Sequence, residues 1–178
     1  MVTLHVVSSL DGFIAKRDNS ISWMDATGET YAKGVAEDGA EALPPIDCYV
    51  LGSRTYEHAL QLGWPYGDTP TVVMTSRKLP ATRATVEFFS GDPQRLVAEV
   101  LAPRFRNVWL VGGAALGQSF LALGLVDEIR LMVAPVTLGA GLHLFGDAGI
   151  EQRWQLKNVV AYRNGYVDLS YRRPGAGA

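Results

Sequence analysis

The sequence predicts an α/β protein whose sheet is parallel through its first two thirds and gains antiparallel strands at the C-terminal end. Three observations predict it. Apolar strand-like runs and helix-compatible runs alternate up to about residue 125, after which strand-like runs dominate. The run Val108-Trp109-Leu110-Val111 stops at Gly112-Gly113 and is followed at once by Ala114-Ala115-Leu116. That pattern is a buried strand entering a helix through a turn free of side chains. Finally, Asn164-Gly165 separates two strand-like runs, the strongest short hairpin signal in the chain.

Taken in order, Val2–Ser9 reads as the first strand, and Leu10–Met24, with Asp11-Gly12 and Asp18-Asn19-Ser20, as a long irregular loop. A helix is expected over Thr27–Leu43, stopped by Pro44-Pro45. Asp47–Gly52 is a strand, and Arg54–Leu62 a helix for which Ser53 is the expected N-cap. The aromatic loop Trp64-Pro65-Tyr66 either walls a ligand pocket or packs in the core. Strands follow at Thr71–Thr75 and Val86–Phe89, then a helix over Asp92–Leu101 capped by Asp92. Strand Val108–Val111, helix Ala114–Leu123 and a long strand Val126–Val136 come next. Arg153–Arg163 and Tyr166–Tyr171 close the hairpin. We expect one domain over residues 1–173 and a loose tail over 174–178.

With 178 residues, 48% of them hydrophobic and 19% charged, the chain is long enough for a full core and too apolar for disorder. A net charge of −2 argues against non-specific nucleic-acid binding. The lone Cys48 precludes an internal disulfide or a cysteine-based zinc cluster, and it reads as a small core residue. His5, His58 and His143 lack metal-ligand spacing, so no metal is expected. There is no signal-peptide pattern and no stretch of about 20 apolar residues, so the expected setting is the cytoplasm, away from membranes.

Three strand ends offer groups that bind anions. Gly112-Gly113 opens a helix whose N-terminal amides can approach a phosphate or a flat ring. Gly52-Ser53-Arg54-Thr55 brings amides, hydroxyls and a guanidinium to a second helix start, although taken alone it reads better as an N-cap beside a solvated Arg. Thr75-Ser76-Arg77-Lys78 ends a third strand; if a nucleotide binds, hydroxyls beside an Arg suit a ribose 2′-phosphate and choose NADPH over NADH. Both standard phosphate motifs are absent. The glycines of Gly112-Gly113-Ala114-Ala115-Leu116-Gly117 are not spaced as a dinucleotide fingerprint, and no Gly-Lys-Ser/Thr follows them. Neither a nucleophile elbow nor a Ser-His-Asp order stands out. Asp25 and Glu29, near Trp23 at an expected helix start, are either caps or carboxylates at the ligand site.

Five segments in order resemble the dihydrofolate-reductase-like superfamily, especially the branch holding the reductase domain of riboflavin biosynthesis. They are Ser9–Ala15, Val50–Glu57, Val73–Arg77, Leu110–Leu116 and Val126–Gly139. The resemblance implies a three-layer α/β/α fold with an eight-stranded, mostly parallel sheet carrying NADPH. It implies that Val7, Ile14 and Ala15 border the nicotinamide and that Gly52, Ser53, Arg54 and Thr55 hold phosphates. On the same resemblance, Thr75, Ser76 and Arg77 would take the adenosine ribose and its 2′-phosphate. Val111, Gly112, Gly113, Ala114, Ala115 and Leu116 would lie along the pyrophosphate and nicotinamide end, as the resemblance implies, with a Gly-Gly peptide that is often cis in the family. Two features depart from true dihydrofolate reductases. Asp25 follows Trp23 too closely, and Glu29 sits slightly too late, for the acid that grips the pterin; Met132 stands where a Thr is expected.

The expected activity is NADPH-dependent reduction of a C=N or C=O carbon in a pterin- or pyrimidine-like molecule, like that of the ribosylaminopyrimidine reductases. Asp25 and then Glu29 are the expected proton donors. The resemblance also implies a homodimer. The competing readings are a non-catalytic NADPH- or nucleotide-binding module, and a nucleotide hydrolase or kinase weakened by the missing Walker lysine.

Overall fold

The computed structural model describes residues 1–25, 30–36, 44–146 and 151–175, with the backbone only at Asp25. It forms two compact units. One comprises Met1–Leu4 and Leu43–Val126, the other His5–Ala42 and Asp127–Ala178. Strand β1 (Val2–Ser8) contributes its first residues to one unit and the rest to the other.

In the first unit β1 is joined by β3 (Cys48–Gly52), β4 (Thr71–Met74), β5 (Val86–Phe89) and β6 (Val108–Gly112), in the order β5-β4-β3-β6-β1. Every pairing among them is parallel. Leu4, Val50, Leu51, Val73 and Leu110 are fully enclosed, as expected of parallel strands, which read as continuous apolar runs rather than as alternating ones. Helix α1 (Ser53–Gln61) follows β3 and α4 (Ala114–Ala122) follows β6. The chain leaves β3 toward β4, while β6 lies on the other side of β3 and feeds α4. Such a reversal opens a crevice at the strands' carboxyl ends, where open α/β sheets bind ligands.

The aromatic loop packs inward. Trp64 joins Leu51, Tyr56, Ala59, Val73 and Val86 in one cluster, and its indole N–H donates to Gly67 O at 3.0 Å. Cys48 is likewise enclosed, and burial pushes its thiol up to about 12, which leaves it inert. The Asp92 carboxylate accepts from Gln94 N–H at 2.6 Å and caps a helix that runs further than expected. It continues through α2 (Pro93–Arg95), a π-helical segment Leu96–Leu101, and α3 (Ala102–Arg104).

In the second unit the rest of β1 is followed in the sheet by β7 (Glu128–Val133), β10 (Val167–Arg172) and β9 (Gln155–Ala161). Both β7–β10 and β10–β9 are antiparallel. The hairpin turns at Asn164-Gly165 as the sequence predicts, with Gly165 N–H donating to Tyr162 O at 3.0 Å. β7 is shorter than the predicted Val126–Val136. Pro135 has no N–H to give, and Val136 N–H turns back onto Ala134 O at 2.8 Å.

Two expectations fail here. The loop Leu10–Met24 contains β2 (Phe13–Ala15), paired antiparallel with β8 (Leu142–His143), and a 3₁₀ turn over Ser22–Asp25. The Phe13 ring lies 4.3 Å from that of His143, a long-range contact that no local pattern announces. The helix expected over Thr27–Leu43 is not formed across residues 30–36; its other residues, 27–29 and 37–43, lie outside the described ones. Instead Thr30 and Tyr31 N–H both donate to Arg163 O, and Val35 bridges Tyr162. Gly34 permits this: a Cβ there would lie 2.4 Å from the Tyr162 carbonyl carbon. Among the described residues no helix is long and apolar enough to cross a membrane.

Candidate nucleotide site

Helices α1 and α4 start alike. Gly52 is the N-cap of α1 and Gly113 that of α4; neither helix has a side-chain cap or an acidic residue in its first turn. Ser53, expected to be the cap, is instead the first helical residue. Both starts therefore leave first-turn amides unclaimed by side chains and keep the positive end of the helix dipole free of a fixed carboxylate. This is the arrangement in which helix ends hold phosphate.

One hydrogen bond joins the two turns. Gly113 N–H donates to Thr55 Oγ1 at 2.9 Å. The amide is thereby used internally, but the hydroxyl, having accepted, keeps its own proton to donate. Gly112 has φ +105, and its peptide to Gly113 is cis. A Cβ at Gly112 would meet nothing within 4 Å, so space lies open beside this backbone, whereas one at Gly52 would stand 3.7 Å from Gly112 O. Ala114, Ala115 and Leu116 form the first turn of α4, and Val111 packs against the Trp64 cluster.

The third strand end is reached through α1. Arg77 Nη1 and Nη2 donate to Glu57 Oε2 and Oε1 at 2.9 and 2.6 Å. This bond holds the Glu57 carboxyl below the usual carboxylate range and raises the Arg77 guanidinium. Thr75 Oγ1 accepts from Arg77 N–H at 3.0 Å, forming a small turn, and Ser76 is exposed. The first unit thus brings together Gly52–Thr55, Thr75–Arg77 and Gly112–Leu116. These residues fit a polyphosphate: two open helix starts, free hydroxyl protons, and an arginine at the rim.

Val7, Ile14 and Ala15 belong to the second unit. Val7 packs on the cluster of Trp23, Ala134, Tyr162 and Tyr166, along with Met132. Ile14 and Ala15 are held in β2. Asp11 latches the turn before β2 to residues 138–139: its carboxylate accepts from Ser9 Oγ at 2.5 Å, Leu138 N–H at 3.1 Å and Gly139 N–H at 2.7 Å. The Ser9 bond, then those backbone donors, hold its pKa down to about 2 against the cost of desolvation. Trp23 is buried, and its indole N–H has no hydrogen-bond partner among the described residues. Asp25 ends the 3₁₀ turn after it, and Glu29 lies outside the described residues.

A buried polar group in this unit escaped the sequence reading. Asp168 on β10 is 2% exposed and binds Arg130 of β7, its Oδ2 accepting from Nε at 2.7 Å and lying 2.6 Å from Nη2. His5 on β1 is close enough to feel both; burial first, and the Arg130 charge second, push its imidazole down to about 4. The available signal was polar residues alternating with apolar ones in β7 and β10, a pattern that usually marks a solvated face.

His5 makes folding sensitive to acid. Its folded pKa of about 4 lies below the ordinary 6.5, so between these values the unfolded chain binds the proton more readily. Stability is full above pH 6.5 and falls as pH drops toward 4, by roughly 3 kcal/mol. Urea unfolding across this range, with His5→Gln flattening the profile, checks it.

A family model described as the RibD C-terminal domain matches residues 1–167. The chain is 44% identical over 191 residues to YyaP of Bacillus subtilis, an uncharacterised protein, covering 98% of this chain and 95% of that one. Among solved structures, a putative riboflavin biosynthesis protein from Shewanella sp. PV-4 superposes with TM-score 0.82 at 22% identity, over 97% of this chain and 98% of that one. The diaminohydroxyphosphoribosylaminopyrimidine deaminase/5-amino-6-(5-phosphoribosylamino)uracil reductase of Thermotoga maritima superposes with TM-score 0.67 at 15% identity, over 97% of this chain and 56% of that one.

Proposed function

Because this chain belongs to the RibD C-terminal domain family, whose fold is that of the dihydrofolate reductases, we propose that it is an NADPH-dependent reductase acting on a pterin- or pyrimidine-like small molecule. The observation that carries this reading is the pair of glycine-capped helix starts joined by the Thr55–Gly113 hydrogen bond. Bound NADPH supplies a hydride for a C=N or C=O carbon.

The chain's own residues do the rest. First-turn amides of α1 and α4 receive the pyrophosphate, with the Thr55 hydroxyl donating its remaining proton. Thr75, Ser76 and Arg77 take the ribose and 2′-phosphate. Val7, Ile14 and Ala15 form the wall beside the nicotinamide, and the Asp11 latch holds the turn that precedes Ile14. Asp25 or Glu29 delivers the proton. We assign the active form to a homodimer.

Calorimetry with NADPH and loss of NADPH absorbance against a panel of pterins and ribosylaminopyrimidines test the proposal together. Wild type is expected to bind NADPH and to oxidise it with one of them. Binding without turnover of any compound reduces the protein to a binding module; no heat with either pyridine nucleotide ends the reading. In Gly113→Val the new Cβ stands 3.4 Å from Thr55 Oγ1, close to but not inside the hydroxyl, and its methyl groups fill the turn. That variant is expected to keep its circular dichroism and to lose NADPH binding by a hundredfold or more, about the loss of two charge-assisted hydrogen bonds.

A further inference from the structure

Glu57 spends both carboxylate oxygens on one edge of Arg77, the edge formed by Nη1 and Nη2. A guanidinium carries five N–H donors in one plane, so this end-on pairing leaves the adjoining edge, Nε–H with the second Nη2 hydrogen, unspent. Among the described residues Nε–H donates to no group. The main chain of Arg77 is fixed as well, by its N–H bond to Thr75 Oγ1. Arg54, on the same helix as Glu57, is near enough to help hold the Glu57 carboxylate charged.

We propose that Glu57 is a positioning residue for recognition of a ribose 2′-phosphate: it grips the Nη1/Nη2 edge of Arg77 so that the Nε/Nη2 edge is presented to the phosphate. This rests on the NADPH reading above. Two effects of Glu57 oppose each other. Its charge repels a dianion, but both partners are about half exposed, 52% and 41%, so water and salt screen that repulsion. Its grip removes rotamer freedom that a loose arginine would lose on binding, and this loss is not screened. For Glu57 to aid binding the second effect must be the larger, and the bidentate geometry of the pair favours it.

The test uses two fragments that differ only in the group at issue, adenosine 2′,5′-bisphosphate and 5′-AMP, titrated by calorimetry into the intact wild-type chain and Glu57→Gln. Glutamine keeps the size but has one oxygen to accept with. The variant is expected to bind the bisphosphate about fivefold more weakly and 5′-AMP unchanged, the cost of immobilising one long side chain. Circular dichroism checks that α1 is intact. Tighter bisphosphate binding by Glu57→Gln would make Glu57 a competitor and overturn the proposal. So would an equal change for both fragments, which is what a merely structural role produces. If wild type itself fails to prefer the bisphosphate, the 2′-phosphate reading falls and this inference with it.

Discussion

Asp168→Ala is expected to lower folding stability by about 3–5 kcal/mol, read from the urea midpoint at neutral pH. The carboxylate is 2% exposed and Arg130 only 16%, so truncation leaves a guanidinium enclosed with no counter-charge. The penalty is that of stranding a charge, and it exceeds what the pair contributes over an apolar alternative. Hence the double variant Asp168→Leu with Arg130→Met, which removes both charges at similar volume, is expected to recover most of the loss. A single-variant loss under about 1 kcal/mol would mean that Arg130 reaches water when released.

Arg77→Ala is expected to weaken NADPH roughly tenfold to a hundredfold and to leave NADH unchanged, because only the former carries the phosphate that the guanidinium addresses. Equal losses for the two cofactors would move Arg77 away from the 2′-phosphate and leave the glycine turns as the whole of the nucleotide site. Raising salt is expected to shrink the difference between cofactors in wild type, since the contact is solvent-facing.

Most strands were legible because burial of a parallel sheet demands unbroken apolar runs, and Val50-Leu51, Val72-Val73 and Val108–Val111 supply them. The glycine turns were legible for a similar reason: no other residue leaves backbone so bare at a strand end. Partnerships across the chain were not. Glu57 and Arg77 stand 20 residues apart, and nothing in either segment selects the other. Asp168 and Arg130 are separated by 38 residues on strands whose polar positions look solvated until the register pairs Asp168 with Met132 and sets the charges on one covered face. The helix expected over Thr27–Leu43 fails within residues 30–36 because propensity is outbid there by tertiary contact: Gly34 lies against the backbone of Tyr162, too close for any side chain.

The bare starts of α1 and α4 set a limit on how this protein can be made more robust. Serine, aspartate or an early glutamate at such positions is the ordinary route to a firmer helix, and each adds a few tenths to about 1 kcal/mol. Here the same change would fill the groups that a phosphate needs and place a negative charge in its path. Heat tolerance must therefore be gained elsewhere in the chain, and consensus-style hardening of these two turns would trade ligand affinity for melting temperature.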